Sequence, residues 1–377
     1  MEKSPVPLHP KSVEKSPVPV RYARQVALPE FGERGQARLA AGSVLIVGVG
    51  GLGSPAAIYL AAAGVGTLGL VDFDAVDETN LHRQVIYGTP DVGRPKLAAA
   101  AERLRSINPH VQLELHEEPF GASNARRLVE RYTVVIDGTD NFATRYLVND
   151  ACVMTKTPNV YGSIHRFEGQ ASVFAAGDGP CYRCLHPDPP PAGLISNCAE
   201  AGVLGVLPGI IGTVQATEAI KLLTGIGEPL VGRLLLYDAL RMRFRQITLP
   251  RALDCPVCGD HPSIHDLVAY DSVCGPESSP GDLSVDQLRQ WRASGTAHTL
   301  VDVREPMEHD QSRIEGAILI PLGTLEERLG EIPRHRPVVV HCQSGGRSAR
   351  ASELLRRHGF EAHSLLGGIR AWRGSQG

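Results

Sequence analysis

Three groups of residues in this 377-residue chain have the types and spacing to do chemistry. The first is Val338-Val339-Val340-His341-Cys342, an apolar strand pattern ending on a cysteine, followed by Gln343-Ser344-Gly345-Gly346-Arg347-Ser348 and a helical pattern. A loop that winds from a strand end onto a helix N-terminus turns several N–H groups inward, and with the helix dipole these stabilise an anion at its centre. Cys342 is therefore expected to act as a thiolate nucleophile cradled by Gln343, Ser344, Gly345, Gly346 and Arg347. The second group is Gly48-Val49-Gly50-Gly51-Leu52-Gly53 with Asp72, Asn80-Leu81-His82-Arg83, Lys96 and Asp140-Asn141. The third is a pair of C-x-x-C runs, Cys181-Tyr182-Arg183-Cys184 and Cys255-Pro256-Val257-Cys258.

The second group needs a βαβ unit to position it. Val44 to Val47 reads as a buried strand, the glycine run as a turn, Ser54 to Ala63 as a small-residue helix and Leu68 to Asp72 as a second strand. Glycines there let the backbone approach a phosphate, and an acidic residue ending the second strand takes a ribose hydroxyl, the role open to Asp72. The turn alone serves a nicotinamide dinucleotide as well as ATP. Arg83 and Lys96 separate the two, because breaking the α–β bond of ATP requires neutralising charge on pyrophosphate, whereas hydride transfer does not. A further strand, Thr133 to Asp137, is expected to deliver Asp140 to the crevice, where a carboxylate can hold Mg²⁺. Its competing task is to cap a helix beginning near Ala143.

Four thiolates at C-x-x-C spacing suit tetrahedral Zn²⁺ with no open position, hence a structural site at Cys181, Cys184, Cys255 and Cys258. The roughly 70 residues between the pairs are unlike a local zinc ribbon, and a dithiol redox pair is the competing reading. Cys152 lies on an apolar helical stretch and is expected to pack in the core, while Cys274 has no motif around it.

Two resemblances sharpen this reading. From about Gly281 onward the chain resembles a rhodanese sulfurtransferase domain, through the Cys342 loop, Asp302-Val303-Arg304-Glu305-Pro306, Ile314-Glu315-Gly316-Ala317 and Leu366-Gly367-Gly368-Ile369-Arg370-Ala371-Trp372. Phosphatases of that fold carry a loop one residue longer. From roughly Arg21 to Gly259 the chain resembles the E1-like family that adenylylates ubiquitin-fold proteins and sulfur carriers, in particular the bacterial molybdopterin-synthase and thiamine-pathway activating enzymes. That resemblance implies that Gly48, Gly50, Gly51 and Gly53 line the ATP phosphates and Asp72 holds the ribose. It implies that Asn80, Leu81, His82, Arg83 and Lys96 contact the nucleotide, that Asp140 beside Asn141 binds Mg²⁺, and that the C-x-x-C pairs hold Zn²⁺. It further implies that Arg24 reaches into a partner subunit's site, hence a homodimer, and that Cys198 receives the carrier or resolves the sulfur-transfer intermediate. The implied partners are a ubiquitin-like sulfur carrier ending in Gly-Gly and a sulfur donor, thiosulfate or a cysteine desulfurase.

Composition bounds the rest. With 42% hydrophobic and 21% charged residues the chain reads as globular, and its net charge of −3 argues against a nucleic-acid binder with a basic surface. Six lysines against 32 arginines make Lys96 conspicuous; Lys221 reads as a solvated helix lysine. Residues 1–20 hold five prolines and repeat Glu2–Pro7 as Glu14–Pro19, which reads as a disordered arm without an apolar leader. The uncharged stretch Ala201 to Val214 is too short for a bilayer and reads as a buried helix or a subunit interface. With eight cysteines expected to stay reduced, the location expected is cytoplasmic. The expected architecture is α/β throughout: a doubly wound Rossmann-like domain at 21–259, a tether at 260–280 that keeps the thiol loop at high effective concentration, and a smaller α/β domain at 281–377.

Overall fold

Short apolar strands alternating with helices build two sheets, one mixed and one parallel, each in its own unit. The computed structural model describes residues 20–189, 202–268, 281–343 and 345–374. These divide into one compact unit of 20–188 with 202–268 and a second of 281–374.

The first unit is organised on an eight-stranded sheet ordered β3-β2-β1-β4-β5-β6-β7-β8. Its strands are β1 Ser43–Val47, β2 Thr67–Val71, β3 Gln112–His116, β4 Val134–Asp137, β5 Asn159–His165, β6 Glu168–Phe174, β7 Arg233–Asp238 and β8 Arg243–Thr248. From β3 to β5 the pairing is parallel, and from β5 to β8 it is antiparallel. The strand order reverses at β1, which lies between β2 and β4, so a crevice opens at the carboxyl ends of β1 and β4. Val44, Leu45 and Ile46 are fully buried, as expected of a central strand covered on both faces. β8 is exposed along its whole length and carries Arg243 and Arg245, charges that discourage edge-to-edge pairing.

Two helices cover the crevice strands. Gly53–Ala63 packs Ala56, Ala57, Leu60 and Ala61 into the core, and Leu207–Thr224 adds Leu207, Ile211, Ala216 and Ala219. Of the stretch Ala201 to Val214, read as a buried helix or a subunit interface, Leu207 to Val214 are helical and bury one face, whereas Leu204 and Val206 ahead of them are exposed. The other face of the helix, with Ile210 and Val214, opens on a groove of about 590 Å³. Lys221 differs from the solvated-lysine reading: it pairs with the buried Glu218 and donates to the Glu228 carbonyl at 2.8 Å.

The second unit has a parallel four-stranded sheet ordered β10-β9-β11-β12, from β9 Thr299–Asp302, β10 Ala317–Leu319, β11 Val338–His341 and β12 Ala362–Ser364. Val338, Val339 and Val340 are fully buried at its centre, so the residue after the strand is delivered from a rigid support. Among the described residues no helix is long and apolar enough to cross a membrane.

Candidate active sites

At the crevice, the turn after β1 depends on glycine for space. A Cβ on Gly53 would lie 2.0 Å from the Gly48 carbonyl oxygen, so helix Gly53–Ala63 approaches the turn only because that side chain is absent, while a Cβ on Gly48, at φ +86°, would meet the Gly138 carbonyl oxygen at 3.0 Å. Asp72, directly after β2, accepts the Val49 N–H at 2.9 Å and the Asp74 N–H at 3.0 Å. Tyr87 donates to the Val49 carbonyl at 2.9 Å; burial, then the Asp72 and Asp74 charges, push its phenol well above the usual range. The structure brings Lys96 to this carboxylate pair: its side chain is 7% exposed, and its ammonium lies 3.1 Å from Asp74 and 3.9 Å from Asp72. Asp74 is a partner to which the sequence reading assigned no role.

Arg83 comes to the same turn by another path. Asp77 caps the short Glu78–Asn80 helix by accepting the Thr79 N–H at 2.8 Å, and Asn80 closes the capping box by accepting the Asp77 N–H at 3.4 Å. Arg83 donates to the Thr79 carbonyl at 2.9 Å, and its Cδ would be 3.7 Å from a Cβ on Gly51. Leu81 is half-buried and His82 exposed beside it. Asp140 is exposed three residues past the end of β4. The helix there is Phe142–Thr155, and its N-cap is Asn141, whose side chain accepts the Thr144 N–H at 2.9 Å. The capping task considered for Asp140 therefore belongs to Asn141. Asp140 has no hydrogen bond or ion pair among the described residues. Arg24, on the Ala23–Val26 turn, is exposed and likewise makes none.

The four cysteines converge from segments far apart in sequence. Their sulfurs all lie within 4.8 Å of one another, with Cys181 and Cys255 3.6 Å apart and Cys184 and Cys258 3.4 Å apart. A disulfide requires ~2.05 Å, whereas four sulfurs around one Zn²⁺ sit ~3.8 Å apart along a tetrahedron's edges. The donor set therefore fits a closed tetrahedral metal site. Cys152 is fully buried in the core, and burial pushes its thiol up. Cys198 and Cys274 lie outside the described residues.

In the second unit Cys342 follows β11 and is fully buried. The Gly345 N–H donates to its sulfur at 3.1 Å, and its thiol lies 3.7 Å from the Ser348 hydroxyl, which in turn donates to the Gly345 carbonyl at 2.9 Å. Gly345, at φ +109°, caps helix Gly346–Arg357. The glycine signature further on is explained by contact with this loop. The N–H groups of Ile369 and Arg370 bond the Cys342 and Gln343 carbonyls at 2.8 and 3.1 Å, and a Cβ on Gly368 would sit 2.4 Å from the Cys342 oxygen. The Cys342 and Gln343 carbonyls are thereby tied to the segment after the glycines, while the Gly345 N–H points at the sulfur. Ser344 lies outside the described residues.

Two ion pairs brace the loop, and the sequence reading gave neither a role. Arg347 forms a bidentate pair with Glu308, both bonds 2.7 Å. Burial alone would raise the Glu308 carboxyl, but Arg347 holds it below its ordinary value. Arg304, 1% exposed, bonds Asp302 at 2.7 and 2.9 Å and reaches Gln343 at 3.3 Å. The Asp302-Val303-Arg304-Glu305-Pro306 signature contained the signal, since its acid and base recur two residues apart at a strand end.

Residues 22–257 match the ThiF family and residues 284–375 the rhodanese-like domain. A probable adenylyltransferase/sulfurtransferase MoeZ of Mycobacterium tuberculosis is 48% identical over 366 residues, which cover 93% of this chain and 92% of that protein. A sulfur carrier protein adenylyltransferase of Thermus thermophilus is 52% identical over 260 residues, 68% of this chain and 96% of its own. The crystal structure of Escherichia coli MccB with MccA-N7isoASN shares the fold, with a TM-score of 0.58 at 21% identity over 64% of this chain and 75% of that one. With its glycine turn, acid-paired lysine and thiol loop each on a matched segment, the chain belongs to the ThiF family and continues into a rhodanese-like domain.

Proposed function

We propose that the chain uses ATP to activate the C-terminal carboxylate of a small ubiquitin-like sulfur-carrier protein ending in Gly-Gly, and then replaces the activating group with sulfur carried on Cys342. The observation that carries the reading is the convergence of the Gly48–Gly53 turn, Asp72, buried Lys96 and Arg83 on one crevice, in a chain that also holds a buried thiol on the Gly345 N–H at a helix N-terminus. The names of the relatives, adenylyltransferase, sulfurtransferase and sulfur carrier, support the same assignment.

The carrier carboxylate oxygen attacks the α-phosphorus of ATP, the α–β bond breaks, and pyrophosphate leaves. Arg83 and Lys96 draw off the charge that develops on the departing group, and Asp72 orients the ribose. Asp140 and its turn would hold Mg²⁺, which when bound supplies charge neutralisation at the phosphates. The four cysteines would hold Zn²⁺ as a structural ion. The Cys342 thiolate attacks the outer sulfur of a donor, thiosulfate or a desulfurase persulfide, and becomes a persulfide as sulfite or the desulfurase thiolate leaves. Its terminal sulfur attacks the acyl-adenylate carbonyl, AMP leaves, and an acyl disulfide to Cys342 forms. Cys198 thiolate then attacks the Cys342 sulfur, which releases the carrier thiocarboxylate and leaves a Cys198–Cys342 disulfide for an external dithiol to reduce. Exposed Arg24 completes the crevice of a second copy in a homodimer.

Asp140→Ala should abolish carrier-dependent ATP–pyrophosphate exchange and leave thiosulfate:cyanide sulfur transfer intact, and Cys342→Ala should do the reverse. The complete reaction should add about 16 Da to the carrier, sulfur for oxygen, by mass measurement. Loss of both activities in either folded variant would refute the division of labour, and nicotinamide binding at the turn without exchange would refute the nucleotide assignment.

A further inference from the structure

We infer that Arg145 and Tyr182 are positioning residues that tie the Asp140 turn to the four-cysteine site, so that the state of the cysteines is felt at the adenylylation crevice; this rests on the role proposed above for Asp140. The argument begins at Asp137, the fully buried last residue of β4. One of its carboxylate oxygens accepts from the Thr139 N–H at 3.0 Å and the Thr139 hydroxyl at 2.6 Å, folding the chain into a tight turn immediately before Asp140.

Arg145 locks that turn from the other side. Its Nε donates to the second Asp137 oxygen at 3.3 Å, one terminal nitrogen donates to the Thr139 carbonyl at 3.1 Å and the Gly162 carbonyl at 3.3 Å, and the other reaches the Ser163 hydroxyl at 3.3 Å. One guanidinium therefore joins the end of β4, the turn and β5. Only a planar fork of donors does this; an ammonium in the same place is a point charge. Arg145 is 6% exposed, and burial by itself would lower its pKa. The Asp137 charge overrides that and holds it above its ordinary value.

What closes the remaining faces of the guanidinium is aromatic, and one wall comes from the cysteine site. Tyr161 and Tyr182 lie 5.2 and 5.9 Å from its carbon, and Phe142 5.8 Å. Tyr182 stands between Cys181 and Cys184 in sequence. Its N–H donates to Asn149 at 2.7 Å, and the adjacent Arg183 makes a buried pair with Asp150 at 2.9 and 3.0 Å. Arg145, Asn149 and Asp150 all belong to helix Phe142–Thr155, whose cap, Asn141, follows Asp140. A single helix thus carries the Asp140 turn at its N-terminus and the Cys181–Cys184 segment along its side. Loosening the cysteines removes a wall from the Arg145 pocket, and the lock on Thr139 goes with it.

The test is Mn²⁺ titration by electron paramagnetic resonance, with a non-hydrolysable ATP analogue, on the full chain. Arg145→Lys is expected to weaken nucleotide-dependent Mn²⁺ binding about tenfold, the lower end of what partners behind a metal ligand contribute. Thiosulfate:cyanide transfer, on the other unit, stays unchanged. Tyr182→Leu, and wild type stripped with a zinc-selective chelator and exchanged into fresh buffer, should shift in the same direction. If Arg145→Lys does not fold, the Tyr182→Leu and metal-stripped samples decide. Unaltered Mn²⁺ affinity in the folded variants overturns the coupling. A wild-type chain that binds no nucleotide overturns the proposed function, and the coupling with it.

Discussion

Buried beside Asp302, His341 has two ring nitrogens without a hydrogen-bond partner among the described residues. Burial pushes its pKa down to about 4, against the opposing pull of Asp302 3.8 Å away; Arg304 and His309 press in the same direction as burial. In the unfolded chain the same imidazole titrates near ~6.5. Between those values the unfolded state binds the extra proton, so stability is fully present above about 6.5, falls as pH drops toward 4, and levels off below. The loss expected is on the order of 3 kcal/mol. Asp302 and Glu308, both depressed by their arginines against burial, lose their share only at lower pH, as protonation of the folded carboxylates sets in. Urea unfolding of the second unit from pH 7 to 4 measures this, and His341→Leu should flatten the curve. An unchanged pH slope in that variant would assign the loss to other groups.

At the scale of elements, packing against the loop does as much as the loop itself. Gly368 is at φ +58° with its would-be Cβ 2.4 Å from the Cys342 carbonyl. Gly368→Ala should therefore displace the Cys342 loop and lower kcat/KM for sulfur transfer by at least about tenfold, while ATP–pyrophosphate exchange stays at the wild-type level. Steady-state assays of both activities on one preparation check it, and undiminished sulfur transfer would show that the loop holds its shape unaided. The helix Phe142–Thr155 makes the corresponding case in the first unit. Removing Asp150 takes the carboxylate away from the buried Arg183 guanidinium, 2% exposed, whose charge is then no longer neutralised by it. Asp150→Ala is expected to cost about 3–5 kcal/mol by denaturant unfolding, whereas a change below about 1 kcal/mol, the range of exposed pairs, would mean that water reaches the site.

Across the whole molecule, two separate cores predict two unfolding transitions. Calorimetry should resolve them, and metal removal or Cys258→Ser should lower only the transition of the first unit, by on the order of 10 °C. Metal analysis should give one zinc per chain, falling in the same variant. If both transitions moved together, the units would not be energetically separate. The dimer reading has its own test. Arg24→Ala and Asp140→Ala chains, each inactive in exchange alone, should regain part of the activity when co-refolded, because mixed dimers keep one intact crevice; no recovery would mean that Arg24 acts within its own chain.

Local chemistry was legible from the residues because it is written locally. The Gly48–Gly53 turn, the strand that ends on Cys342 and the C-x-x-C pairs each depend on neighbours a few positions away, and glycine, cysteine and β-branched runs restrict the backbone without help from distant segments. What tertiary structure alone decided is which distant groups meet. Lys96 against Asp74, Arg347 against Glu308, Arg145 under Tyr182 and the capping of Phe142–Thr155 by Asn141 instead of Asp140 are all set by sheet order and side-chain direction. Such pairings leave no periodic trace in a chain, because their energy comes from burial and charge complementarity between elements that only the folded sheet brings together.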